Sequence, residues 1–299
     1  MPAISVVIPT RNRAAWLVQA VESVLAQTFQ DIEIILALNS ADSETHAAAD
    51  RLNADPRVRS VRTNDSTASA ARNRGIELAA SDWIALLDDD DIWLPNKLEV
   101  QFAAAKQTGA DLVTCNFMLF SEVGDIESTG HPARPRGLSF PEALMLGNYV
   151  SGGSAALVKL AALRRLGGFD DQLVAVEDWD MWRRLSWEHD IHFVDQVLVK
   201  YRRHNANKGS DPALVLAGES VHFGKMLRDT PERLHHMLPE VKRRYFDRIT
   251  NILAREGLIA AQEREKMEAI LHSRWWKLTQ PMRMLSRTAQ STFRRWSGS

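Results

Sequence analysis

Strand-like and helix-like segments alternate through the first half of the chain, and this order restricts its fold more than any other feature. Residues 4–8 (ISVVI) and 32–38 (IEIILAL) are apolar runs of strand length. Between them, apolar residues recur at four-residue spacing over 13–27, the periodicity of an amphipathic helix. Apolar strands separated by helices predict an α/β protein with a mainly parallel sheet flanked by helices on both faces.

The same patterns predict further elements and three regions. Strands are predicted at 4–8, 32–38, 58–62, 83–87, 111–117, near 154–158 and near 197–201, and helices at 13–27, 42–52, 67–79, 95–107, near 141–146 and at 179–188. Polar residues 121–139, rich in glycine and proline, predict a long loop. From about 211 only helices are predicted, at 212–228, 231–255 and 260–272. These patterns predict an α/β domain over 1–210, a helical region over 211–272 and a tail over 273–299.

Charge and cysteine content argue against several classes of protein. A formal net charge of −1 over 299 residues argues against nucleic acid as a partner of the whole molecule. The single cysteine, Cys115, lies in an apolar stretch, which predicts a buried thiol in a reducing compartment. The first residues lack a signal-peptide pattern, and no run approaches the roughly 20 apolar residues that span a bilayer. We therefore expect a cytoplasmic protein.

The usual glycine signatures of nucleotide-binding proteins are missing. The first predicted strand continues into PTRNR and contains no GxGxxG, which argues against a dinucleotide fold. Gly224 and Lys225 are followed by methionine and lack the upstream glycine of a P-loop. Phosphate groups would therefore need another positive partner.

Four consecutive aspartates, at positions 88–91 in LLDDDDIW, provide a site for a metal cation that could bind phosphate groups. They follow the predicted strand 83–87 at its carboxyl end, where open α/β sheets bind ligands. Because strand side chains alternate between faces, Asp88 and Asp90 are expected to converge, and convergent carboxylates suit Mg²⁺ or Mn²⁺. The alternative is a solvated acidic turn that caps the next helix, and this is our interpretation of Asp91.

Six motifs occur in order over residues 3–210 and resemble the family 2 glycosyltransferases of GT-A fold. They are SVVIPTRNR at 5–13, SAARNRGIELA at 69–79, IALLDDDDIWLPNKLE at 84–99, GGF at 167–169, EDWDMWRRL at 177–185 and YRRHNANKGS at 201–210. The resemblance implies a Rossmann-like GT-A domain with a helical C-terminal extension. It also implies transfer of a sugar from a nucleotide-diphosphate donor, inversion at the anomeric carbon and a divalent cation, Mg²⁺ or Mn²⁺, as cofactor.

On the donor side, the resemblance assigns roles by matching position. Pro9 and Thr10 would lie against the nucleoside, and Arg72 would contact the base or the phosphates. Asp88 would lie near the ribose. Gly153, with the preceding glycine, falls where the family has a small loop near the donor sugar.

The resemblance assigns the cation and the catalytic base to other residues. Asp90 would bind the cation, and His204 would reach the cation or the diphosphate, although a structural histidine is an equal alternative. Asp178 would be the general base that takes a proton from the acceptor hydroxyl. The alternative for EDWD is an acidic first turn that favours its helix. Glu177 would face away or orient the acceptor, and Asp180 would support the helix.

One motif departs from the family pattern. After the second strand the family usually reads VDDGSTD, whereas this chain reads LALNSADS, so Leu38 and Asn39 replace two acids. The amide of Asn39 still offers donors and an acceptor to a base edge. The change leaves the identity of the base open and weakens the expectation of donor binding.

Three tryptophans lie in or near the motifs. Trp93 and Trp179 are candidates for stacking on a sugar or acceptor, with core packing as the alternative. Core packing is the default expectation for Trp182.

Arg202 and its neighbour Arg203 are candidate phosphate ligands or solvated residues.

The tail over 273–299 is basic and aromatic. It carries six lysine and arginine residues and no acid, together with three tryptophans. Such composition suits a segment that binds an anionic membrane surface. Alternatively, the tail would dock on the protein's own core, on a partner subunit or on nucleic acid. A membrane-bound tail would place the protein on the cytoplasmic face of an inner membrane, with a saccharide or lipid-linked acceptor of bacterial envelope polysaccharide or lipopolysaccharide synthesis.

Three functions are consistent with the sequence. The first is an inverting glycosyltransferase, and the second is a non-catalytic nucleotide-sugar binder or scaffold, which LALNSADS favours. The third is a nucleotidyltransferase, whose glycine- and lysine-rich phosphate loop is missing near the first strand. The sequence does not identify the donor sugar, the base, the acceptor, the linkage or the oligomeric state.

Overall fold

The computed structural model describes residues 1–63, 67–129, 134–205, 207 and 211–255. Its strands are β1 Ile4–Thr10, β2 Ile32–Asn39, β3 Val58–Thr63, β4 Trp83–Leu86, β5 Ile92–Trp93, β6 Leu112–Ser121, β7 Gly124–Thr129, β8 Leu157–Lys159 and β9 Ile191–Arg202. Its helices are α1 Ala14–Leu25, α2 Ser43–Leu52, α3 Ala68–Leu78, α4 Lys97–Thr108, α5 Phe140–Leu144, α6 Leu160–Arg165, α7 Glu177–Leu185, α8 Pro212–Asp229 and α9 Leu238–Arg255, with a 3₁₀ helix at Glu232–Met237. The predicted helix at 260–272 and the tail at 273–299 lie outside the described residues.

The described strands form one sheet in the order β3-β2-β1-β4-β8-β6-β9-β5, with β7 paired to β6. Strands β3, β2, β1 and β4 are mutually parallel. Strand β8 is antiparallel to both of its neighbours, so β6 and β9 again run in the direction of β4. The sheet is therefore mixed in its pairings but mainly parallel in direction, and the carboxyl ends of β1, β2, β4 and β9 lie at the same edge.

Helices cover both faces of this sheet. One core cluster joins Val6 and Ile8 of β1 to residues of α1, α2 and α4. The other joins Val7 to residues of α3, α5, α6 and α7. Every residue of β1 is buried. This double burial explains the nearly continuous apolar sequence of the strand, because neither face meets water.

Helix α3 packs closely on β1 because residue 75 is glycine. A Cβ atom at Gly75 would clash with the side chain of Val7. A small residue at a helix–sheet contact lets the two backbones approach. This approach matters for the site, since Arg72 lies one turn earlier on the same helix.

The prediction of one long loop over 121–139 is wrong in its first part. Strand β6 continues to Ser121 and pairs antiparallel with β7 in a hairpin. Gly124 has φ +135°, a conformation that favours glycine, and it begins the returning strand. The glycine in the first part of segment 121–139 therefore marks a hairpin turn and not a loop.

The chain divides into two compact units, residues 1–218 and residues from 219 onward, and the division falls within α8. In the second unit the rings of Phe223 and Tyr245 stack with centroids 3.9 Å apart. The predicted boundaries at 210 and 272 stay predictions. Among the described helices, none combines the length and hydropathy needed to cross a membrane.

Candidate active site

The predicted site residues meet where strands of the same direction end. Thr10 ends β1, Asn39 ends β2, and Arg202 ends β9. The acidic run follows β4 and turns into the short strand β5. The carboxyl edge of the sheet therefore gathers polar side chains that are far apart in the sequence.

Arg72 connects the acidic run to the EDWD motif. Its buried guanidinium donates through Nη2 to Asp88 Oδ1 at 2.5 Å and through Nη1 to Glu177 Oε1 at 2.9 Å. Glu177 is 6% exposed, so the first of its two expected roles, facing away from the site, is wrong. A buried carboxylate needs a positive partner, and Arg72 is that partner for Glu177.

Arg13 provides the positive charge for the middle of the acidic run. Its Nη1 donates to Asp89 Oδ1 at 2.9 Å and to Asp90 Oδ2 at 2.7 Å. Asp89 also accepts a hydrogen bond from Thr10 Oγ1 at 2.6 Å, and Asp90 Oδ2 lies 3.0 Å from His204 Nε2. Burial raises the pKa of Asp89 to about 6, although Arg13 and Thr10 favour its ionised form.

The interpretation of Asp91 as a helix-capping residue is wrong. Helix α4 begins at Lys97, and its N-cap Asn96 makes no side-chain capping bond. Asp91 is 1% exposed and accepts a hydrogen bond from the backbone N–H of Arg202 at 3.0 Å. Burial, followed by repulsion from Asp90 and Asp88, raises its pKa well above the ordinary aspartate value. The side chain turns inward because the chain enters β5, which pairs with β9.

The acidic run fits a divalent cation. Carboxylate oxygens of Asp88, Asp90 and Asp91 lie within 4.8 Å of one another, whereas Asp89 belongs to the Arg13 contact. Asp88 and Asp90 converge as predicted, but strand alternation is not the reason: the segment forms a turn, in which the backbone N–H of Asp91 donates to Asp88 O at 3.1 Å, and Asp91 converges with them. Carboxylates with a nearby imidazole are a suitable ligand set for Mg²⁺ or Mn²⁺. Repulsion inside this cluster would fall when a cation binds, which is the physical reason for the fit.

Asp178 lies in the first turn of α7 beside a loop of small residues. Its Oδ2 accepts a hydrogen bond from Asn148 Nδ2 at 3.0 Å, and its Oδ1 accepts one from the backbone N–H of Trp179 at 2.7 Å. A Cβ atom on Gly152 would lie 3.7 Å from Oδ2. The carboxylate is therefore fixed in position while part of its surface stays open.

The surroundings of Asp178 change its acidity. Burial raises the pKa of Asp178 to about 6, repulsion from Glu177 adds to this rise, and Arg72 opposes it. A carboxylate with such a pKa is ionised at neutral pH and more basic than an exposed aspartate. Asp180 has a different environment, since it is fully buried and paired with arginines of its own helix. Its expected role of supporting the helix is thus consistent with the structure.

Two buried polar atoms on the donor side make no hydrogen bond to any described residue. Asn39 Nδ2 donates to Thr67 O at 3.1 Å, but Asn39 Oδ1 has no partner among the described residues. Arg72 Nε is another such atom, and a Cβ on Gly153 would lie 3.9 Å from it. Buried polar groups are costly without partners, so these atoms mark a place for a polar ligand.

Two further donor-side residues, Pro9 and Gly153, have different surroundings in the fold. Pro9 is buried in β1 opposite Ala37 of β2. A Cβ on Gly153 would lie 3.8 Å from Arg72 Nη2 and 3.9 Å from Asp88 Oδ1. Gly153 therefore borders Arg72 and Asp88, and the contacts of these residues with a donor stay proposals.

Unusual backbone conformations cluster at the same edge. Among the described non-glycine residues, positive φ occurs at Asn12, Ser40, Ser151 and Val176. Each lies next to or two residues from a predicted site residue, and Val176, with φ +57°, is β-branched and directly precedes Glu177. Such conformations cost about 1–3 kcal/mol each and concentrate at functional sites.

The tryptophans near the motifs are buried. The indole of Trp179 is 8% exposed and donates to Leu144 O at 2.6 Å, and that of Trp93 donates to Ser154 O at 2.9 Å. Trp182 is fully buried, as expected. Packing therefore accounts for all three side chains, and the sugar-stacking role of Trp179 has no support from its position.

Two residues of the site were missed or misjudged by sequence reasoning. Arg202 is 5% exposed, donates through Nε to Asp90 O at 2.8 Å and contacts Gln19, so it is neither solvated nor free to bind phosphate. Arg13 lies inside the first motif, but a local pattern does not reveal a partner 77 positions away. The sequence signal for both arginines was the run of four aspartates, because such a run needs several positively charged partners.

The family of the chain follows from comparison with known proteins. The sequence model described as Glycosyl transferase family 2 matches residues 5–167, which include all of β1 but its first residue, Arg72, the acidic run and Gly153. The chain belongs to this family. A putative colanic acid biosynthesis glycosyl transferase, WcaA of Escherichia coli K12, is 31% identical over 200 residues, covering 63% of this chain and 67% of WcaA. The chain spans only 33% and 65% of the lengths of two glycosyltransferase relatives from Rickettsia.

Solved structures share the fold. S. aureus TarS 1–349 in complex with UDP aligns with a TM-score of 0.67 at 16% identity, over 89% of this chain and 78% of that one. The mannosyltransferase PcManGT from Pyrobaculum calidifontis, in complex with GDP-Man and Mn²⁺, aligns with a TM-score of 0.64 at 16% identity, over 100% of this chain and 88% of that one. These likenesses establish a GT-A fold.

Replacing Glu177 tests how the site sets the basicity of Asp178. In Glu177→Gln, repulsion on Asp178 is removed and Arg72 loses one of its two anionic partners. We expect the pKa of Asp178 to fall from about 6 by roughly one unit. Carboxyl ¹³C NMR titration of the labelled protein measures this shift. The exposed Glu188→Gln is the control, and an unchanged or higher pKa in Glu177→Gln would contradict the described network.

Proposed function

We propose that this protein is an inverting glycosyltransferase that transfers a sugar from a nucleotide-diphosphate donor to an acceptor hydroxyl. The observation that carries the proposal is the Arg72 bridge, which connects Asp88 at 2.5 Å and Glu177 at 2.9 Å. This bridge holds a cation-binding cluster and a basic carboxylate, Asp178, on the same edge of the sheet. Those are the two functions that an inverting transfer requires.

The donor side follows from charge and unpaired atoms. Asp88 would bind the ribose, and Asp90 with His204 would hold a Mg²⁺ or Mn²⁺ ion. When bound, this ion would neutralise charge on the diphosphate. Arg72 Nε, a buried donor without a described partner, is suited to a phosphate or sugar oxygen. The complexes of TarS with UDP and of PcManGT with GDP-Man and Mn²⁺ support this class of donor.

The chemical step is a single displacement at the anomeric carbon. The acceptor oxygen attacks this carbon, the bond to the diphosphate oxygen breaks, and the acceptor proton passes to Asp178. Asn148 and the Trp179 backbone fix the two oxygens of Asp178 while its pKa of about 6 keeps it ionised at neutral pH. One displacement inverts the configuration of the carbon. Glu177 supports this arrangement by holding Arg72 against Asp88.

The nucleoside would lie against Pro9, Thr10 and Asn39. Asn39 Oδ1 is a buried acceptor without a described partner, and Nδ2 is held by Thr67. The amide therefore offers an acceptor to an N–H group of a base without adding charge.

The alternative function is a non-catalytic nucleotide-sugar binder of the same fold, which the replacement of an acid by Asn39 favours. The raised pKa of Asp178 favours catalysis over this alternative.

The acceptor is a saccharide or lipid-linked saccharide in this proposal. The similarity to WcaA, named for colanic acid biosynthesis, supports a role in bacterial envelope polysaccharide or lipopolysaccharide synthesis. A basic, aromatic tail at 273–299 supports peripheral binding to the cytoplasmic face of an inner membrane. Nucleic acid is not expected as a partner, because the formal net charge is −1.

Replacing Asp178 separates donor binding from transfer. Asp178→Asn keeps the size and can accept one of the two hydrogen bonds that the carboxylate accepts from Asn148 and the Trp179 backbone. It cannot accept the proton, so we expect kcat to fall roughly 10²–10⁴-fold. Binding of at least one of UDP and GDP in the presence of Mn²⁺, measured by thermal shift, should persist. The exposed Asp171→Asn serves as the matched control. Unchanged transfer by Asp178→Asn with any nucleotide-sugar that wild type uses would remove the base assignment.

Removing the tail tests the membrane proposal. We expect the full chain to float with liposomes that contain anionic lipid, and to do so less at high salt, because the attraction is partly electrostatic. A chain that ends at residue 272 should stay in the lower fractions. Liposomes of neutral lipid are the control. Equal flotation of both chains would contradict the role of residues 273–299.

A further inference from the structure

Arg13 is paired with Asp90, one of the three acids whose carboxylate oxygens converge. It is the N-cap residue of α1, and its Nη1 lies 2.7 Å from Asp90 Oδ2. The same oxygen contacts His204 Nε2 at 3.0 Å. One oxygen of Asp90, the one beside the imidazole, is therefore already paired with a positive charge that belongs to the protein.

Arg13 has a second anchor that lies outside the metal-binding cluster. The same Nη1 donates to Asp89 Oδ1 at 2.9 Å, and Asp89 is not one of the three acids whose oxygens converge. Asp89 is in turn held by Thr10. The Arg13 side chain is 29% exposed, so a ligand from solvent can reach it. The two partners of Arg13 thus differ in whether a cation would compete for them.

We propose that Arg13 is the built-in counter-ion of the metal site, that it competes with the divalent cation for Asp90, and that it becomes a ligand of the donor diphosphate. Without a ligand, Arg13 neutralises Asp90 and weakens the binding of a cation. With a diphosphate present, Arg13 gains a replacement anion, so cation and diphosphate bind cooperatively. The inference rests on the proposed function only for the identity of the diphosphate.

The physical basis is a difference in partners between the two states. A cation that binds alone must break the contact between Arg13 and Asp90 and leave the guanidinium with Asp89 only. A cation that binds together with a diphosphate provides oxygens that a guanidinium recognises well. Because coupling between two ligands is reciprocal, the same factor must appear in the cation affinity and in the diphosphate affinity.

Calorimetric titration with Mn²⁺ alone tests the competition. We expect Arg13→Gln to bind Mn²⁺ at least roughly fivefold more tightly than wild type, which is the lower end of usual coupling factors. Arg11→Gln is the matched control, because it removes an exposed arginine two residues away and lacks a contact with the acidic run. It should change the Kd less than about twofold in 0.15 M salt, where exposed charges are screened. An equal or weaker Mn²⁺ affinity in Arg13→Gln, or an equal gain in Arg11→Gln, overturns the proposal.

Titration with UDP and with GDP, each with and without saturating Mn²⁺, tests the cooperativity. In wild type, Mn²⁺ should tighten binding of at least one of the two nucleotides, and in Arg13→Gln this factor should shrink roughly fivefold or more. Arg13→Lys keeps the charge and should lie between the two. The same coupling factor in all three proteins overturns the diphosphate role.

Thermal melting distinguishes competition between Arg13 and the cation from a merely structural role of Arg13. It also tests this competition independently of the proposed function. Arg13→Gln should melt lower than wild type without metal and should gain more from added Mn²⁺. A variant that melts lower and also loses Mn²⁺ binding would show that Arg13 only builds the site, which overturns the competition. These readouts need no sugar transfer, so a failure of the glycosyltransferase proposal would appear in the Asp178→Asn experiment and not here.

Discussion

Burial of three carboxylates in a run of four adjacent aspartates at the end of β4 is the constraint on which the rest of the site depends. Asp89 and Asp91 are almost fully buried, and Asp90 is 9% exposed. Such charges are destabilising unless cations or hydrogen-bond donors compensate them. Arg13 and Arg72 provide charge, while the Arg202 backbone and the Thr10 hydroxyl provide hydrogen bonds.

Each compensating group comes from a different element of the fold. Thr10 ends β1, Arg13 begins α1, Arg72 lies on α3, and Arg202 ends β9. The acidic run can therefore be buried only after these elements have assembled around β4. Gly75 contributes to this assembly, because its missing side chain brings α3 against β1. The fold and the charge distribution of the site thus depend on each other, and a cation that binds to the cluster would also stabilise the domain.

Sequence periodicity was sufficient for the α/β class and for a mainly parallel sheet. The apolar runs at 4–8 and 32–38 predicted parallel strands, and the place of the acidic run after a strand predicted a carboxyl-edge site. Local patterns did not reveal that Asp91 faces inward, because its orientation depends on the backbone N–H of Arg202, 111 positions later. The pairing of Arg13 with Asp90 and the burial of Glu177 against Arg72 depend on similarly distant contacts. The hairpin at β6 and β7 was missed because glycine marks both loops and tight turns.

The most direct test of the account is whether nucleotide binding depends on a cation at the acidic run. Thermal melting of wild type and of Asp90→Ala, with UDP or GDP and with or without Mn²⁺, measures this dependence, since a ligand of the folded state raises its apparent stability. We expect at least one nucleotide to raise the melting temperature of wild type more when Mn²⁺ is present, and we expect Asp90→Ala to lose this difference. An equal shift without Mn²⁺, or an equal shift in Asp90→Ala, would contradict the account.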